Sequence, residues 1–365
     1  SLSVISAIMK AHATFGMRNA VNDAMDVHSG KAVIDGPSNY LQALYRAVPI
    51  GITVEGANIV TRSLIIFGQG AIRAHPHLLD EMKALMIEDD TESLIEFDRH
   101  FWAHAGHTAR TFFRALGRAW SGGRTIPAHD VGPVSDIFRR LSRWSAAYAL
   151  TADVAFLTMG GDLKRKEMIS GRMGDVLAEM YILSATLKRW QDEGRQDADL
   201  VLVRYCAEGA FARIRVALDG VLSNFPSRWA ALMVRAVILP GGSALGPSDA
   251  LTVACSDLIY EPSPTRDRII GRIHGGCNGD GIEVLNECYA KVIACSPLMK
   301  RLRDAAHDPD LGLKAGTITQ AERDTITQMQ DLVARVVAVD DFTPEALRRH
   351  FPGLNNTPTQ TESAG

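Results

Sequence analysis

The sequence predicts an all-α protein built from antiparallel helix bundles. Three long segments place apolar residues in steps of three and four, which is the period of a helix with one buried face. Short breaks such as Gly160-Gly161 separate these segments, and short connections are typical of antiparallel neighbours. Extended structure has little support, because only residues 50–54 alternate in the manner of a strand. The three helical segments are residues 134–155, 169–190 and 200–221.

Composition and charge describe a globular chain for which nucleic acid is not an expected partner. The 365 residues are 46% hydrophobic, and 39 Lys and Arg residues nearly balance 42 Asp and Glu residues, giving a formal net charge of −3. A chain without a net positive charge has no broad basic field for a phosphate backbone. The five cysteines include no C-x-x-C pair, which argues against a disulfide framework or a zinc ribbon and favours a reducing compartment.

Glycine and proline clusters predict the joints between the helices. The chain opens inside a predicted helix, with no initiator Met and no basic leader, so we expect a piece of a longer protein. Residues 29–38 contain the first loop, and the later linkers are expected near residues 121–133 and 240–248. Residues 352–365 lack an apolar pattern and are expected to be disordered.

Glu55 is the candidate catalytic residue. It is expected where an extended segment meets the first turn of the next helix, and Gly56 follows it, so that a ligand can approach a bare backbone. A helix dipole stabilises a carboxylate at this position by about 0.3–1 kcal/mol, while burial beside an apolar ligand raises the pKa of a carboxyl group. These opposing effects suit a general base that works near neutral pH. A plain helix-capping role for Glu55 is the alternative.

The region around Glu55 resembles the C-terminal helical domain of the acyl-CoA dehydrogenases, whose catalytic base lies in a Glu-Gly pair. Glu55-Gly56 matches that pair, and Arg62 and Arg46 match arginines at the same offsets. The family's glycine-rich turn, which contacts the flavin, corresponds to residues 29–32, where Gly30 is retained. The resemblance is most specific for the large bacterial fatty-acid β-oxidation subgroup, which carries an additional C-terminal helical domain. Its motifs here are GITVEGANIVTRSLIIFGQGAIR at 51–73, GGDLKRKEMIS at 160–170 and PSPTRDR at 262–268.

The resemblance implies a reaction and a cofactor. The full protein would use FAD to oxidise a medium- or long-chain fatty acyl-CoA to the trans-2-enoyl-CoA in fatty-acid β-oxidation. Glu55 would remove the α proton while the β hydride passes to the flavin, and the Glu55 amide would polarise the substrate carbonyl. Gly30 and Gly56 would contact the cofactor, and the fragment by itself would be inactive because most of the flavin pocket is built by other domains of the family.

The same resemblance implies a domain division and a cellular setting. Residues 1–74 would be the remnant of the dehydrogenase C-terminal domain, residues 75–351 a helical extension, and residues 352–365 a tail. We expect a homo-oligomer that passes electrons to an electron-transfer flavoprotein or a similar acceptor. The expected location is the cytoplasm, with an association with the inner membrane.

Two other interpretations stay open from the sequence. A non-catalytic helical association module would need no reactive carboxylate. A metal-binding bundle would use His100, His104 and His107, which share one helical face with Asp98. Surface or interface histidines are the plain alternative there, and we assign no metal ligand. The apolar, sparsely basic segment 225–239 is expected either on a membrane surface or against its bundle neighbours.

Overall fold

The structure, a computed structural model, confirms the all-α prediction. It describes residues 2–127, 131–242, 245–271 and 273–350, and within these ranges the chain contains helices, turns and loops but no strand. The α-helices are α1 (Leu2–His28), α2 (Gly30–Val33), α3 (Gln42–Thr53), α4 (Asn58–Val60), α5 (Gly70–Ala74), α6 (Leu78–Ala84), α7 (Asp90–Trp120), α8 (Ser135–Met159), α9 (Glu167–Asp192), α10 (Leu200–Ser223), α11 (Arg228–Ile238), α12 (Asp249–Tyr260), α13 (Pro264–Ile270), α14 (Gly281–Arg301), α15 (Pro309–Lys314), α16 (Gln320–Val337) and α17 (Pro344–His350).

Two compact units make up the described chain. The first contains the described residues of 1–15 and 50–271, and the second contains those of 16–49 and 272–365. Helices α1 and α3 each supply residues to both units. The domain division predicted at residue 74 stays a prediction.

The core of the first unit lies among the long helices α7 to α11. The segments predicted from apolar periodicity are confirmed as α8, α9 and α10, and each turns its apolar stripe inward. Met173, Val176, Ile214 and Leu218 are completely buried. Burying a side chain of this size contributes about 1.5–3 kcal/mol, so these stripes supply most of the cohesion of the bundle.

A π-helical segment, Thr61–Gln69, packs very closely against α9. The close approach depends on Gly174, since a Cβ atom there would lie 2.4 Å from the backbone oxygen of Arg62. The guanidinium of Arg62 then forms a forked pair with Asp175, in which Nε donates to Oδ1 at 2.7 Å and Nη2 donates to Oδ2. Glycine in α9 and one forked ion pair therefore fix this helix–helix contact.

The second unit has its own smaller core between α14, α15 and α16. Cys295, Leu302, Ile318, Ile326 and Met329 form this core, and Cys295 and Leu302 are fully buried. The N-terminal residues of the unit are held to it by polar contacts. Chief among these, the buried Lys31 ammonium donates to the backbone oxygen of Val336 at 2.7 Å.

The segment expected to be extended is helical instead. Residues 50–53 form the last turn of α3, so the strand-like prediction for residues 50–54 is wrong. Five alternating residues are too few to outweigh the helical spacing of Leu44, Val48 and Ile52, and Val48 is buried on that face.

The predicted joints fall mainly in turns and loops. Residues 29–38 contain the short helix α2, and the described parts of residues 121–133 and 240–248 lie mostly in turns and loops. The predicted disordered tail, 352–365, lies outside the described residues.

Candidate functional site

Glu55 and Gly56 form a tight turn in the first unit, between the end of α3 and the start of α4. Helix α3 ends at Thr53 and α4 begins at Asn58, so Glu55 follows a helix and not the expected extended segment. Both residues of the turn have left-handed backbone, with φ of 55° at Glu55 and 83° at Gly56. That conformation is free for glycine but costs a residue with a Cβ atom roughly 1–2 kcal/mol. Strain of this kind persists only where the surroundings impose it, and it concentrates at functional sites.

Polar contacts from α1 impose this turn. The Lys10 ammonium donates to the backbone oxygen of Gly56 and to Oδ1 of Asn58, each at 2.7 Å. Asn58 is almost completely buried, and its Nδ2 donates to Oγ1 of Thr14 at 2.9 Å. The Thr61 hydroxyl donates to the same Gly56 oxygen at 3.1 Å. Sequence reasoning missed Lys10 and Asn58, because Lys10 contacts groups 46 and 48 residues away along the chain.

The turn presents a free carboxylate beside a free backbone donor. Glu55 is exposed, and within the described part of the chain its carboxylate has no hydrogen-bond or ion-pair partner. Ala57 is the N-cap of α4, and no side chain caps that helix end, so the structure does not support a capping role for Glu55. The backbone N–H of Glu55 also lacks an acceptor among the described residues. A base and a hydrogen-bond donor are therefore both available to a ligand at this turn.

The two arginines at matching offsets are both engaged in ion pairs. Arg62 belongs to the forked pair with Asp175 that joins the π-helix to α9, and this hydrogen bonding raises the pKa of the Arg62 guanidinium. Arg46 pairs with Asp35 at 3.0 Å in the second unit, and both side chains are well exposed. An exposed pair of this kind is worth at most about 1 kcal/mol, so its contribution to stability is small.

Gly30 lines a cavity of about 650 Å³ in the second unit. A Cβ atom at Gly30 would meet only the Val339 side chain, at 3.6 and 4.0 Å, so space does not demand glycine there. The cavity is lined by the Asp26 carboxylate and, among the described residues, by no Lys or Arg side chain. A flavin dinucleotide carries an anionic diphosphate, which needs donors or cations. The lining offers neutral donors, the Asn22 amide and the hydroxyls of Ser29 and Tyr45, but its one charged group is the Asp26 carboxylate, so the described residues at Gly30 supply no cation to a flavin diphosphate.

Helix α7 brings two of the predicted histidines into a four-histidine cluster. His104 and His107 pack against His75 and His77, which lie between α5 and α6. The contacting rings have centroids 4.4–6.2 Å apart. Sequence reasoning found the α7 half of this cluster from its helical spacing, but the α5–α6 half comes from the tertiary fold.

Hydrogen bonds fix the tautomer of His75. Its Nδ1 accepts from the backbone N–H groups of His77 and Leu78, at 3.2 and 3.0 Å. The ring hydrogen must then sit on Nε2, which donates to the buried carboxylate of Asp153 at 3.1 Å. The Thr108 hydroxyl donates to the other oxygen of Asp153 at 3.2 Å. The network therefore leaves both oxygens of Asp153 with a hydrogen-bond donor.

This tautomer weighs against a metal ion. One ligand atom each from His75, His107 and Asp153 lie within 4.8 Å of one another, which is close enough to consider a shared cation. A neutral imidazole that binds a metal through Nε2 carries its hydrogen on Nδ1. Nδ1 of His75 cannot carry this hydrogen, because it accepts hydrogen bonds from two backbone N–H groups. His100 of the predicted metal set lies beside Glu96 instead, at 3.7 Å. The hydrogen bonds of His75 and Asp153 instead hold the turn between α5 and α6 against α8.

Apolar surface is exposed on one face of α11. Ala231, Val234 and Ile238 are buried in the bundle, so segment 225–239 does pack against its neighbours. Trp229 and Met233 remain 81% and 61% exposed. The expected membrane contact stays a prediction.

None of the described helices alone has the length and apolar character that crossing a bilayer requires. One bent pair, Gln42–Thr53 with Asn58–Ala74, satisfies the requirement by length and composition.

Comparison with known proteins identifies the family. Residues 72–342 match the sequence model of the family described as "Acyl-CoA dehydrogenase, C-terminal, bacterial type", which is 271 of the 365 residues. No solved structure matches the chain. The match includes the motifs at 160–170 and 262–268 but begins after Glu55 and Gly56, so the role of that pair stays a prediction. The chain belongs to the bacterial-type acyl-CoA dehydrogenase C-terminal family.

Proposed function

We propose that this chain is the C-terminal part of a flavin-dependent acyl-CoA dehydrogenase with Glu55 as its catalytic base. The reaction is the α,β-dehydrogenation of a medium- or long-chain fatty acyl-CoA to the trans-2-enoyl-CoA in fatty-acid β-oxidation. The observation that carries the proposal is the strained Glu55-Gly56 turn, whose carboxylate has no partner among the described residues. Membership of the dehydrogenase family supports the class of reaction, and the likeness of Glu55-Gly56 to the family's Glu-Gly pair supports Glu55 as the base.

Glu55 would act on the acidic hydrogen next to the thioester carbonyl. Its carboxylate removes the α proton, and the free backbone N–H of Glu55 hydrogen-bonds the carbonyl oxygen on which negative charge develops. Substrate binding would exclude water from the exposed turn and strengthen both interactions. The contacts of Lys10 and Asn58 keep base and donor in a fixed relation, which is what proton transfer at carbon requires.

The family generally uses a flavin, but the described residues that line the cavity at Gly30 include no cation for its diphosphate. We therefore propose that most flavin contacts in the working protein come from elsewhere in the full-length chain or from another copy of it. The expected homo-oligomer would supply such a copy. An electron-transfer flavoprotein or a similar acceptor, and a cytoplasmic location with contact to the inner membrane, remain parts of the same proposal.

The test is the Glu55→Gln variant of the full-length protein. Gln keeps the size of the side chain but cannot accept a proton from carbon, so we expect the rate of enoyl-CoA formation to fall by about 10²–10⁴-fold. Exchange of the substrate α hydrogen with deuterium from D₂O should fall in parallel, because that exchange reports proton removal separately from oxidation. Glu88→Gln, at another exposed glutamate, is the matched control and should keep both rates.

Retention of both rates within about threefold in Glu55→Gln would assign the base elsewhere. Loss of oxidation with normal α-hydrogen exchange would also contradict the proposal, because it would place the defect after proton removal.

A further inference from the structure

A second cavity, of about 900 Å³, lies in the first unit far along the chain from Glu55. Facing stripes of α8 and α10 form its walls, with the end of α7 and residues 240–242 and 245–246, after α11, completing them. We call it the arginine cavity. Its lining includes Trp120, Arg140, Arg143, Trp144, Phe211 and Arg215.

Positive charge exceeds negative charge in this lining. Three guanidinium groups are present against one carboxylate, that of Glu208. Glu208 is fully used by Arg140 in a forked pair, with Nη2 donating to Oε2 at 2.8 Å and Nη1 donating to Oε1. Arg143 and Arg215 are left without a carboxylate partner among the residues that the structure describes. Two cations therefore line the cavity without a carboxylate partner, although the guanidinium of Arg143 lies over the Trp144 ring, 4.7 Å from its centroid.

Of the three arginines, Arg143 has the fewest hydrogen-bond partners among the described residues. Its Nε is buried and has no hydrogen-bond partner, and its Nη2 reaches the backbone oxygen of Ile238 only at 3.5 Å. Burial lowers the pKa of Arg143, and the charges of Arg215 and Arg140 lower it further. The side chain as a whole is half-buried, so what is unusual is the one buried Nε without a partner, since buried polar atoms in folded proteins are nearly always hydrogen-bonded.

The other lining groups are held in place for a ligand. Nη2 of Arg215 donates to the backbone oxygens of Gly241 and Gly242, at 2.9 and 2.7 Å, so this guanidinium has a fixed position in the wall. The indole of Trp120 is 66% exposed, yet its Nε1 donates to the backbone oxygen of Ala236 at 3.2 Å. An exposed ring anchored at one edge offers its face for stacking.

We propose that the arginine cavity binds a phosphorylated nucleotide, with its phosphates at Arg143 and Arg215 and its base against Trp120. Guanidinium groups bind phosphate through paired N–H donors, and a phosphate would supply the anionic partner that Arg143 and Arg215 lack among the described residues. The volume is within the range of pockets that enclose ligands of nucleotide size. The proposal does not depend on the role of Glu55.

Titration calorimetry of the chain at low salt tests this proposal with defined probes. ADP is the main probe, inorganic pyrophosphate reports the phosphate contacts, and adenosine reports the ring contact. We expect ADP to bind more tightly than pyrophosphate, and adenosine to bind weakly. Coenzyme A distinguishes the source: tighter binding of coenzyme A than of ADP would identify the nucleotide end of a coenzyme A compound, and the reverse order would identify a free nucleotide.

Variants separate the proposed contacts. Arg143→Gln and Arg215→Gln should each weaken ADP binding by about tenfold or more, since each removes a charged hydrogen bond to phosphate. Trp120→Leu should weaken ADP binding while leaving pyrophosphate binding within about twofold, because it removes only the stacking surface. Arg189→Gln, at an exposed arginine paired with Glu193, is the matched control and should leave ADP binding unchanged.

The free protein provides a second readout. Arg143→Gln removes a half-buried guanidinium that has no carboxylate partner among the described residues, so without ligand its midpoint of thermal unfolding should stay close to that of the parent. If this variant does not fold, Arg215→Gln and Trp120→Leu carry the test. Absence of ADP binding at about 1 mM, the concentration that corresponds to a binding free energy of only about −4 kcal/mol, would overturn the proposal. So would binding that is equally strong in the parent, Arg215→Gln and Trp120→Leu proteins.

Discussion

At the scale of single residues, the Glu55-Gly56 turn shows how backbone strain and function meet. Two successive left-handed residues follow a helix, and only the second is a glycine. Lys10 and Asn58 hold the turn through side-chain contacts that no local pattern predicts. The resemblance located the Glu-Gly pair from the sequence, but the groups that fix its conformation emerged only from the folded chain.

Gly56→Ala should destabilise the first unit. A Cβ atom would have room, since the nearest atom is 3.6 Å away, but φ of 83° is unfavourable for alanine and costs about 1–2 kcal/mol of unfolding free energy. Gly106→Ala is the control, because Gly106 lies in α7 with no atom within 4 Å of its Cβ position and should gain up to about 1 kcal/mol. Urea unfolding measures both variants. Equal stability of the two would show that the turn relaxes out of the left-handed region.

At the scale of helices, the first unit depends on one very close contact. The π-helix 61–69 lies against α9, and the approach requires the missing side chain of Gly174. Periodicity predicted α9 within a few residues, yet it gave no sign of a π-helix, which is rare and arises from tertiary contacts.

Gly174→Ala should push the two helices apart. The new Cβ would lie 2.4 Å from a backbone oxygen, which cannot rotate away as a side chain can, so we expect a loss of about 1–3 kcal/mol. Gly171→Ala is the matched control on the same helix, because its Cβ would meet only the Arg62 side chain at an ordinary 3.7 Å. The urea midpoints of the two variants measure this difference, provided that the dependence of the unfolding free energy on urea concentration is the same for both. A Gly174→Ala protein as stable as Gly171→Ala would contradict the close contact.

At the scale of the whole molecule, the stability of the first unit should depend on pH through its histidines. Burial lowers the pKa of His12, His77 and His107 below the ordinary value of 6.5, and neighbouring histidines lower it further for His77 and His107. Between pH 6.5 and the lower pKa values of the folded protein, the unfolded chain binds more protons than the folded chain, so unfolding becomes easier as pH falls. The stabilising contribution is fully present above pH 6.5 and is lost as pH falls through 6.5 toward the lower folded values.

Urea midpoints measured between about pH 7.5 and pH 5 should therefore decrease on acidification. Each additional proton that the unfolded state binds makes the free energy of unfolding fall more steeply with decreasing pH. His107→Gln should flatten this decrease. His274→Gln, at an exposed histidine of the second unit, should leave it unchanged. A midpoint that stays constant or rises on acidification would contradict the assigned pKa directions.

The sequence by itself determined the fold class and the long helices, and its motifs at 160–170 and 262–268 pointed to the family. The helices follow from local information, because apolar spacing of three and four residues defines a helix face wherever that face is later buried. The same local reasoning failed at residues 50–54, where a short alternation fits both helix and strand.

Only the tertiary structure decided which distant side chains meet. Lys10 reaches Gly56 across 46 residues, and His75 reaches Asp153 across 78. Arg143 and Arg215 line one cavity because α8 and α10 face each other in the bundle. Such encounters depend on how helices pack and not on the sequence around each residue. The arrangement of donors, bases and unpaired charges is therefore a property of the folded bundle.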